Sequence, residues 1–124
     1  MTIKEAEKEL LSHKHLDREA ILIREQRQKC YEIKQGYIQG DKKEKALEFE
    51  VLENQFREKE DDAVRCGKHI LEKILMLRFP EREVLFRYFI KKQTIRQIAR
   101  EMNYSERSID YYKEKGIKKY SLKF

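Results

Sequence analysis

The sequence predicts an all-α protein, in which a long helical hairpin or coiled-coil arm precedes a small helix-turn-helix module at the C-terminal end. Lys, Arg, Asp and Glu make up 42% of the 124 residues, and only one proline and four glycines interrupt the chain. Apolar residues recur at steps of three and four over long stretches, which is the spacing of one helix face. Signals that start and stop short helices are concentrated in the last third. We therefore divide the chain into a helical arm, residues 1–78, and a module, residues 79–124.

The first helix is indicated by a stripe of small and apolar residues that also includes two basic ones. The stripe comprises Leu16, Ala20, Ile23, Arg27, Cys30, Lys34 and Tyr37. Residues 1–10, with alternating acidic and basic side chains, are typical of a helix start. Gly36 and Gly40 then interrupt the pattern, and Asp41 is suited to be the N-cap of the next helix. We expect a turn at this point.

A second stripe predicts a helix from Lys42 to about Leu77, roughly 50 Å long at 1.5 Å per residue. It comprises Phe49, Leu52, Phe56, Lys59, Ala63, Cys66, Ile70, Ile74 and Leu77. This stripe needs a partner, which is either the first helix or another copy of the chain. Because the second helix is expected to be the longer one, the pattern favours a homodimer through the long helices.

Two further predictions concern the arm. Its acidic cluster of Glu58, Glu60, Asp61 and Asp62 is expected to form a solvated face. Cys30 and Cys66 lie on the apolar stripes without metal-ligand spacing, so both are expected to be small core residues in a reduced protein.

The module begins with Pro80, which is favoured in the first turn of a helix. A helix from Glu81 to about Lys91 is expected to follow. The apolar pattern predicts that the buried face of this helix consists of Val84, Leu85, Tyr88 and Phe89 or Ile90.

Two short helices follow, each with a start signal. Thr94 and Gln97 form a capping box, and Ser105 is an N-cap after a turn at Asn103 and Tyr104. The residues expected in the core are Ile95, Ile98, Ala99, Met102, Tyr104, Ile109, Tyr112 and Ile117. Two helices joined by a tight turn are the arrangement that places side chains in the major groove of DNA.

Charge is divided unevenly along the chain. Residues 1–66 hold 14 basic and 16 acidic side chains, whereas residues 67–124 hold 15 and 7. The half with the helix-turn-helix therefore carries a charge of +8, and the other half carries −2. A basic surface attracts a polyanion such as nucleic acid.

The stretch Thr94-Ile95-x-x-Ile98-Ala99-x-x-Met102-x-Tyr104-Ser105-x-x-x-Ile109 resembles the helix-turn-helix of region four of bacterial sigma factors. The likeness covers residues 79–120. The wider layout is similar to small regulators of phages and prophages of Gram-positive bacteria, of the ArpU and RinA kind. This resemblance implies binding to double-stranded DNA and control of transcription, with residues 105–115 as the recognition helix.

The resemblance also implies roles for individual residues. Glu106, Arg107, Asp110 and Tyr111 would face base edges, and Arg107 suits guanine because a guanidinium can bridge O6 and N7. Arg96, Lys113 and Lys115 would contact phosphates, and Ser105 completes the expected DNA-binding set. The helix departs from the family in its three carboxylates, on Glu106, Asp110 and Glu114, which can accept from cytosine but repel the phosphate backbone. Gly116 is expected to end this helix early.

Other function classes find little support in the sequence. It contains no nucleophile with a base, no Gly-rich phosphate loop and no paired acid and base, so we expect no enzyme and no small-molecule substrate. His13, His15 and His69 are isolated, and we expect neither a metal nor a cofactor. No signal segment or apolar run of bilayer length is present, and we expect a cytoplasmic protein without a membrane partner.

Two alternatives remain open at this point. The chain could be a helical interaction protein that docks on a host protein such as RNA polymerase without reading DNA. It could also be an accessory protein of phage DNA packaging or replication. The target DNA sequence, activation against repression, and pairing of the long helices within or between chains are left undecided.

Overall fold

The computed structural model describes residues 1–124 and contains five α-helices and no strands, which confirms the all-α prediction. The two long helices are α1, Ile3–Gln39, and α2, Lys43–Leu75. The short α3, Glu81–Leu85, continues into one π-helical turn, Phe86–Ile90, where a single α-helix had been predicted. Then come α4, Ile95–Met102, and α5, Glu106–Lys123.

The chain forms two compact units. The hairpin unit is Leu16–Cys66, and the terminal unit combines Met1–His15 with Gly67–Phe124. These units differ from the predicted arm, residues 1–78, and module, residues 79–124. That earlier division concerns function, and it stays a prediction. By contacts, both ends of the chain belong to the same unit.

The tip of the hairpin unit is a tight turn whose hydrogen bonds end α1. The backbone N–H of Asp41 donates to the carbonyl of Ile38 at 3.2 Å, and that of Lys42 donates to Tyr37 at 2.9 Å. Asp41 itself is left-handed, with φ at 58°. This pair of bonds is the Schellman motif. The predicted turn is therefore confirmed, but Asp41 closes α1 and is not the N-cap of α2.

The seam between α1 and α2 in the hairpin unit follows a strict alternation of three and four residues. On α1 the predicted stripe is confirmed, because each of its members is buried or half-buried. On α2 the covered residues are Ala46, Phe49, Glu53, Phe56, Glu60 and Ala63. Three predicted members of this stripe are wrong, since Leu52, Lys59 and Cys66 are exposed. Cys30 is buried as expected.

Two buried glutamates make ion pairs across this seam. Lys34 Nζ lies 2.8 Å from Glu53 Oε2. Arg24 Nε donates to Glu60 Oε1 at 2.9 Å, and Arg27 Nε lies 2.9 Å from Glu60 Oε2 without hydrogen-bond alignment. The prediction that Glu60 belongs to a solvated face is therefore wrong, because its side chain is directed into the seam with arginine partners.

These contacts shift the pKa values of Glu60 and Lys34. The hydrogen bond from Arg24, with the charge of Arg27 beside it, outweighs burial and lowers the pKa of Glu60 below its ordinary value. The hydrogen bond to Glu53 raises the pKa of Lys34. Both effects stabilise the charged forms, so the seam contains ionised layers.

The core of the terminal unit begins at the start of α1. Ala6 and Leu10 are fully buried, as are Ile74 of α2 and Tyr120 of α5. The Tyr120 hydroxyl hydrogen-bonds to the Glu9 carboxylate, which also pairs with Lys73 at 3.2 Å. Burial, followed by this hydrogen bond, raises the pKa of Tyr120. The predicted stripe of α1 begins at Leu16 and does not include Ala6 and Leu10.

The start at Ile3 makes α1 the longer of the two helices, at 37 residues against 33. The argument for a homodimer from an overlong second helix is therefore wrong. Dimerisation itself stays a prediction.

Gly116 lies inside α5 and does not end it. A Cβ at this position would lie 3.0 to 3.2 Å from three side-chain carbons of Leu85. Leu85 is fully buried. A methyl group here would require Leu85 to move by a few tenths of an ångström, so glycine allows α3 and α5 to pack closely. The prediction of an early helix end is wrong, because α5 continues to Lys123.

Candidate nucleic-acid interface

The start of α4 is a capping box, as predicted. Thr94 Oγ1 accepts from the backbone N–H of Gln97 at 3.2 Å, and Gln97 Oε1 accepts from that of Thr94 at 2.9 Å. Two amide groups that a helix start leaves unpaired are thereby satisfied. The local sequence therefore determines where α4 begins.

The turn between α4 and α5 is equally well defined. Asn103 is left-handed, with φ at 60°, and the N–H of Tyr104 donates to the carbonyl of Ala99 at 2.9 Å. Ser105 then caps α5 by accepting from the N–H of Ser108 at 3.1 Å. Three residues thus separate the helices, and the predicted turn and N-cap are confirmed.

A small apolar cluster holds the helices together. Its buried members are Val84, Ile98, Ala99 and Ile109, against which Tyr88, Ile95, Met102 and Tyr112 pack. These positions agree with the predicted core. Tyr104 does not, because it is 36% exposed and leans on the Tyr112 ring at 5.9 Å.

The first turns of α5 present the predicted base-reading residues to solvent. Glu106, Arg107, Asp110 and Tyr111 are all exposed, Tyr111 by 57%. Their spacing puts Arg107, Asp110 and Tyr111 on one side of the helix, opposite the buried Ile109 and Tyr112. One cation, one anion and one aromatic ring are therefore available together on this face.

The positions of Lys113 and Lys115 differ from those of the other predicted contacts. Both are half-buried. Lys113 Nζ lies 4.5 Å from the centre of the Tyr88 ring, and Lys115 Nζ lies 3.5 Å from Glu81 Oε1. These lysines already have partners on α3 and the π-helical turn.

Glu81 is a buried anion that pairs with Lys115 and with one further lysine. It is 2% exposed, and Lys119 Nζ also approaches it, at 3.1 Å. Burial acts to raise its pKa, but a backbone hydrogen bond, Lys119 and Lys115 together lower it below the ordinary value. An ionised Glu81 thus holds Lys115, a predicted phosphate contact, together with Lys119 in ion pairs inside the terminal unit.

Arg87 is a functional candidate that sequence reasoning missed. Its guanidinium lies 2.8 Å from Glu83 and pairs with Glu101 of α4. The i, i+4 spacing of Glu83 and Arg87 is a local signal for the first pair. Nothing in the spacing indicates the second, which connects the π-helical turn with α4 and places one guanidinium between two carboxylates.

Only some of the basic side chains on α4 and α5 are both exposed and outside ion pairs. On α4 they are Arg96 and Arg100, which lie one turn apart and are both exposed. On α5 they are Arg107, Lys118 and Lys123. Exposed cations of this kind, of which Arg107 lies in the first turn of α5, can attract phosphate groups.

No protein-family model, curated protein or solved structure matches the chain. No helix has both the length and the apolar character that a bilayer span requires.

Proposed function

We propose that this chain is a sequence-specific regulator of transcription, of phage or prophage origin, that binds double-stranded DNA through α4 and α5. The observation that carries the proposal is the turn at Asn103 between two capped helices, the second of which exposes its first turns. α5 is then the recognition helix, and Arg107 is the residue assigned to guanine. Arg96 is assigned to the phosphate backbone.

The carboxylates on α5 define what the proposal requires of the DNA. Glu106, Asp110 and Glu114 are exposed and make no ion pair with a neighbouring lysine or arginine. A carboxylate in the major groove accepts from the N4 amino group of cytosine and repels phosphate. The proposal therefore expects modest affinity per module and a site in which guanine and cytosine are both read.

The test is selection from a random duplex library with the full chain, followed by titration of the enriched sequence and a scrambled one at several salt concentrations. Arg107→Ala should lower affinity for the enriched sequence by about tenfold or more and bring it toward that of the scrambled one. Arg18→Ala removes the same charge from an exposed site on α1 and serves as the matched control. Equal binding to both sequences, unchanged by Arg107→Ala, would refute sequence-specific reading by α5.

The salt series tests the charge assignment separately. With about four phosphates neutralised per module, the logarithm of affinity should fall with the logarithm of salt concentration at a slope of about −3.6. Arg96→Ala should reduce that slope by about one and weaken both sequences alike. If the modules act as a homodimer, the enriched motif will contain two half-sites one or more helical turns apart.

A second function is favoured by the same carboxylates. Under this alternative the protein docks on a host protein such as RNA polymerase and does not read DNA. A stoichiometric protein partner, together with no affinity for duplex DNA at low salt, would favour it over the first proposal.

A further inference from the structure

A groove in the terminal unit runs between the start of α1 and α5, from Tyr111 to Leu122. Ile3 lies on one side, Tyr111 and Leu122 lie on the other, and Ile117 is at the bottom. The two helices are fastened beneath it, since the Tyr120 hydroxyl hydrogen-bonds to Glu9 of α1. The groove is therefore part of the folded unit and does not need a ligand to form.

The sides of the groove expose large apolar side chains. Ile3 is 51% exposed and Leu122 is 78% exposed, while Ile117 is almost fully buried. Exposed aliphatic residues facing each other across a groove are typical of sites that bind an apolar helix face. Single exposed leucines are common, but here three apolar residues line one concave surface.

Charge indicates which kind of helix fits. Lysines at positions 113, 115, 118 and 119 line the groove, against the two carboxylates of Glu7 and Glu114. Even with Glu81, which Lys115 and Lys119 share, cations remain in excess. Lys118 is exposed and outside any ion pair. The α5 side of the groove is thus apolar at Tyr111 and Leu122 and basic between them, which favours an acidic partner.

The length of the groove sets the length of the occupant. Tyr111, Lys115, Lys118 and Leu122 form one stripe on α5, and eleven residues of helix span about 16 Å. About three turns of a second helix fit this distance. We infer that the groove binds an amphipathic helical segment of a partner protein, with apolar residues at i, i+4, i+7 and i+11 and Asp or Glu beside them. The groove shares Tyr111, Lys113 and Lys115 with the residues assigned to DNA, but Ile3, Ile117 and Leu122 belong to the groove alone. Binding of a helix there goes beyond the DNA-binding proposal.

The test uses the full chain and fluorescently labelled peptides of about four helical turns. One peptide carries leucines at the stated spacing with flanking glutamates, the second is its scramble, and the third replaces the glutamates with lysines. The amphipathic acidic peptide should bind about tenfold more tightly than either of the others, as measured by fluorescence anisotropy. Leu122→Glu should weaken it by about tenfold, whereas Leu47→Glu, at an exposed apolar site of the hairpin unit, should have no effect.

Three results would overturn the inference. Equal binding of the acidic peptide and its scramble would mean that the lysines attract any anion. Binding unchanged by Leu122→Glu would place the peptide elsewhere. A dimeric wild type that becomes monomeric with Leu122→Glu, in sedimentation, would make a second copy of the chain the occupant. Because Leu122→Glu leaves Arg107 and Arg96 intact, selection of a DNA motif by this variant distinguishes failure of the groove from failure of the DNA-binding proposal.

Discussion

Replacing Glu60 with glutamine tests whether the buried ion pairs stabilise the hairpin unit. Glutamine keeps the size of the side chain and can still accept hydrogen bonds, so Glu60→Gln removes the charge and little else. Arg24 and Arg27, each 2.9 Å from a Glu60 oxygen, would then lack their anion. We expect the free energy of unfolding to fall, because two arginines would stay close together in the seam without compensation.

The expected loss of stability depends on how far the ion pair is shielded from water. Breaking a fully buried ion pair costs about 3–5 kcal/mol, and an exposed pair is worth about 1 kcal/mol or less. The Glu60 side chain is 8% exposed, but that of Arg24 is 59% exposed, and a hairpin of two helices has no third layer to exclude water. We therefore expect a loss of about 2 kcal/mol, or about 8 °C in the melting temperature of a chain of this length.

The effect should depend on pH with a definite sign. The pKa of Glu60 is lowered in the folded state, so the stability that it contributes is complete above the unfolded pKa of about 4.3. This stability is lost as pH falls through the folded pKa. The difference between wild type and Glu60→Gln should therefore be full at pH 7 and shrink below about pH 4.

Urea unfolding followed by circular dichroism measures the free energy of unfolding and, when it is repeated at different pH values, the pH dependence of that free energy. Glu58→Gln is the matched control, because Glu58 is exposed on the same helix and loses the same charge. We expect this control to change stability by less than about 0.5 kcal/mol. Equal stability of the two variants at pH 7 would refute the reasoning and return Glu60 to the solvated face that its neighbours suggest.

Three other substitutions test the terminal unit by the same unfolding measurement. Gly36→Ala, with nothing within 4 Å, should stabilise by up to about 1 kcal/mol through helix propensity. Gly116→Ala has the same gain, but its methyl group meets a buried leucine, so its free energy of unfolding should be about 1–2 kcal/mol lower than that of Gly36→Ala, and equal stabilisation by the two would contradict the close packing. Thr94→Ala should cost about 1 kcal/mol through loss of the capping box, and no change would mean that this helix start is held by packing alone. Tyr120→Phe should cost about 1 kcal/mol because Glu9 loses its buried donor, and a neutral result would show that the hydroxyl is paired equally well in the unfolded chain.

The helix ends of the C-terminal module could be predicted because the interactions that define them are local. Thr94 pairs with a residue three positions later, and so does Ser105. Asn103 tolerates the left-handed conformation that its turn requires. Such signals are complete within a few residues of sequence, so no knowledge of the tertiary structure was needed to place α4 and the start of α5.

The seam of the hairpin unit was predicted only in part because the prediction followed apolarity. On α2 the alternation of three and four passes through Glu53 and Glu60, whereas the predicted stripe passed through the apolar Leu52 and had Lys59 intervening. A charged residue can occupy such a position when the facing helix supplies its partner. The spacing itself was the available signal, and a strict alternation starting from Ala46 would have found both glutamates.

The charge available at the candidate interface could not be predicted for a different reason. Glu81 lies 34 positions from Lys115, and Arg87 lies 14 from Glu101. No local pattern joins residues that far apart. These pairs leave the net charge of +8 unchanged, but they decide which side chains carry the unpaired positive charge. Only the tertiary structure separates the structural lysines of α5 from Arg107.

The ionic layers and the turn specify the same alignment of α1 and α2. Glu53 and Glu60 lie seven residues apart on α2, and their partners Lys34 and Arg27 lie seven apart on α1. Because the helices are antiparallel, a slip of one heptad can keep at most one glutamate beside a cation, and in one direction it brings Glu60 opposite Ala20. The carboxylate without a cation beside it would then lie unpaired in the seam. This costs more free energy than a cavity at an apolar position would. The paired charges therefore act mainly against wrong alignments, and replacing all four with apolar residues should raise stability while leaving the turn as the principal determinant of register.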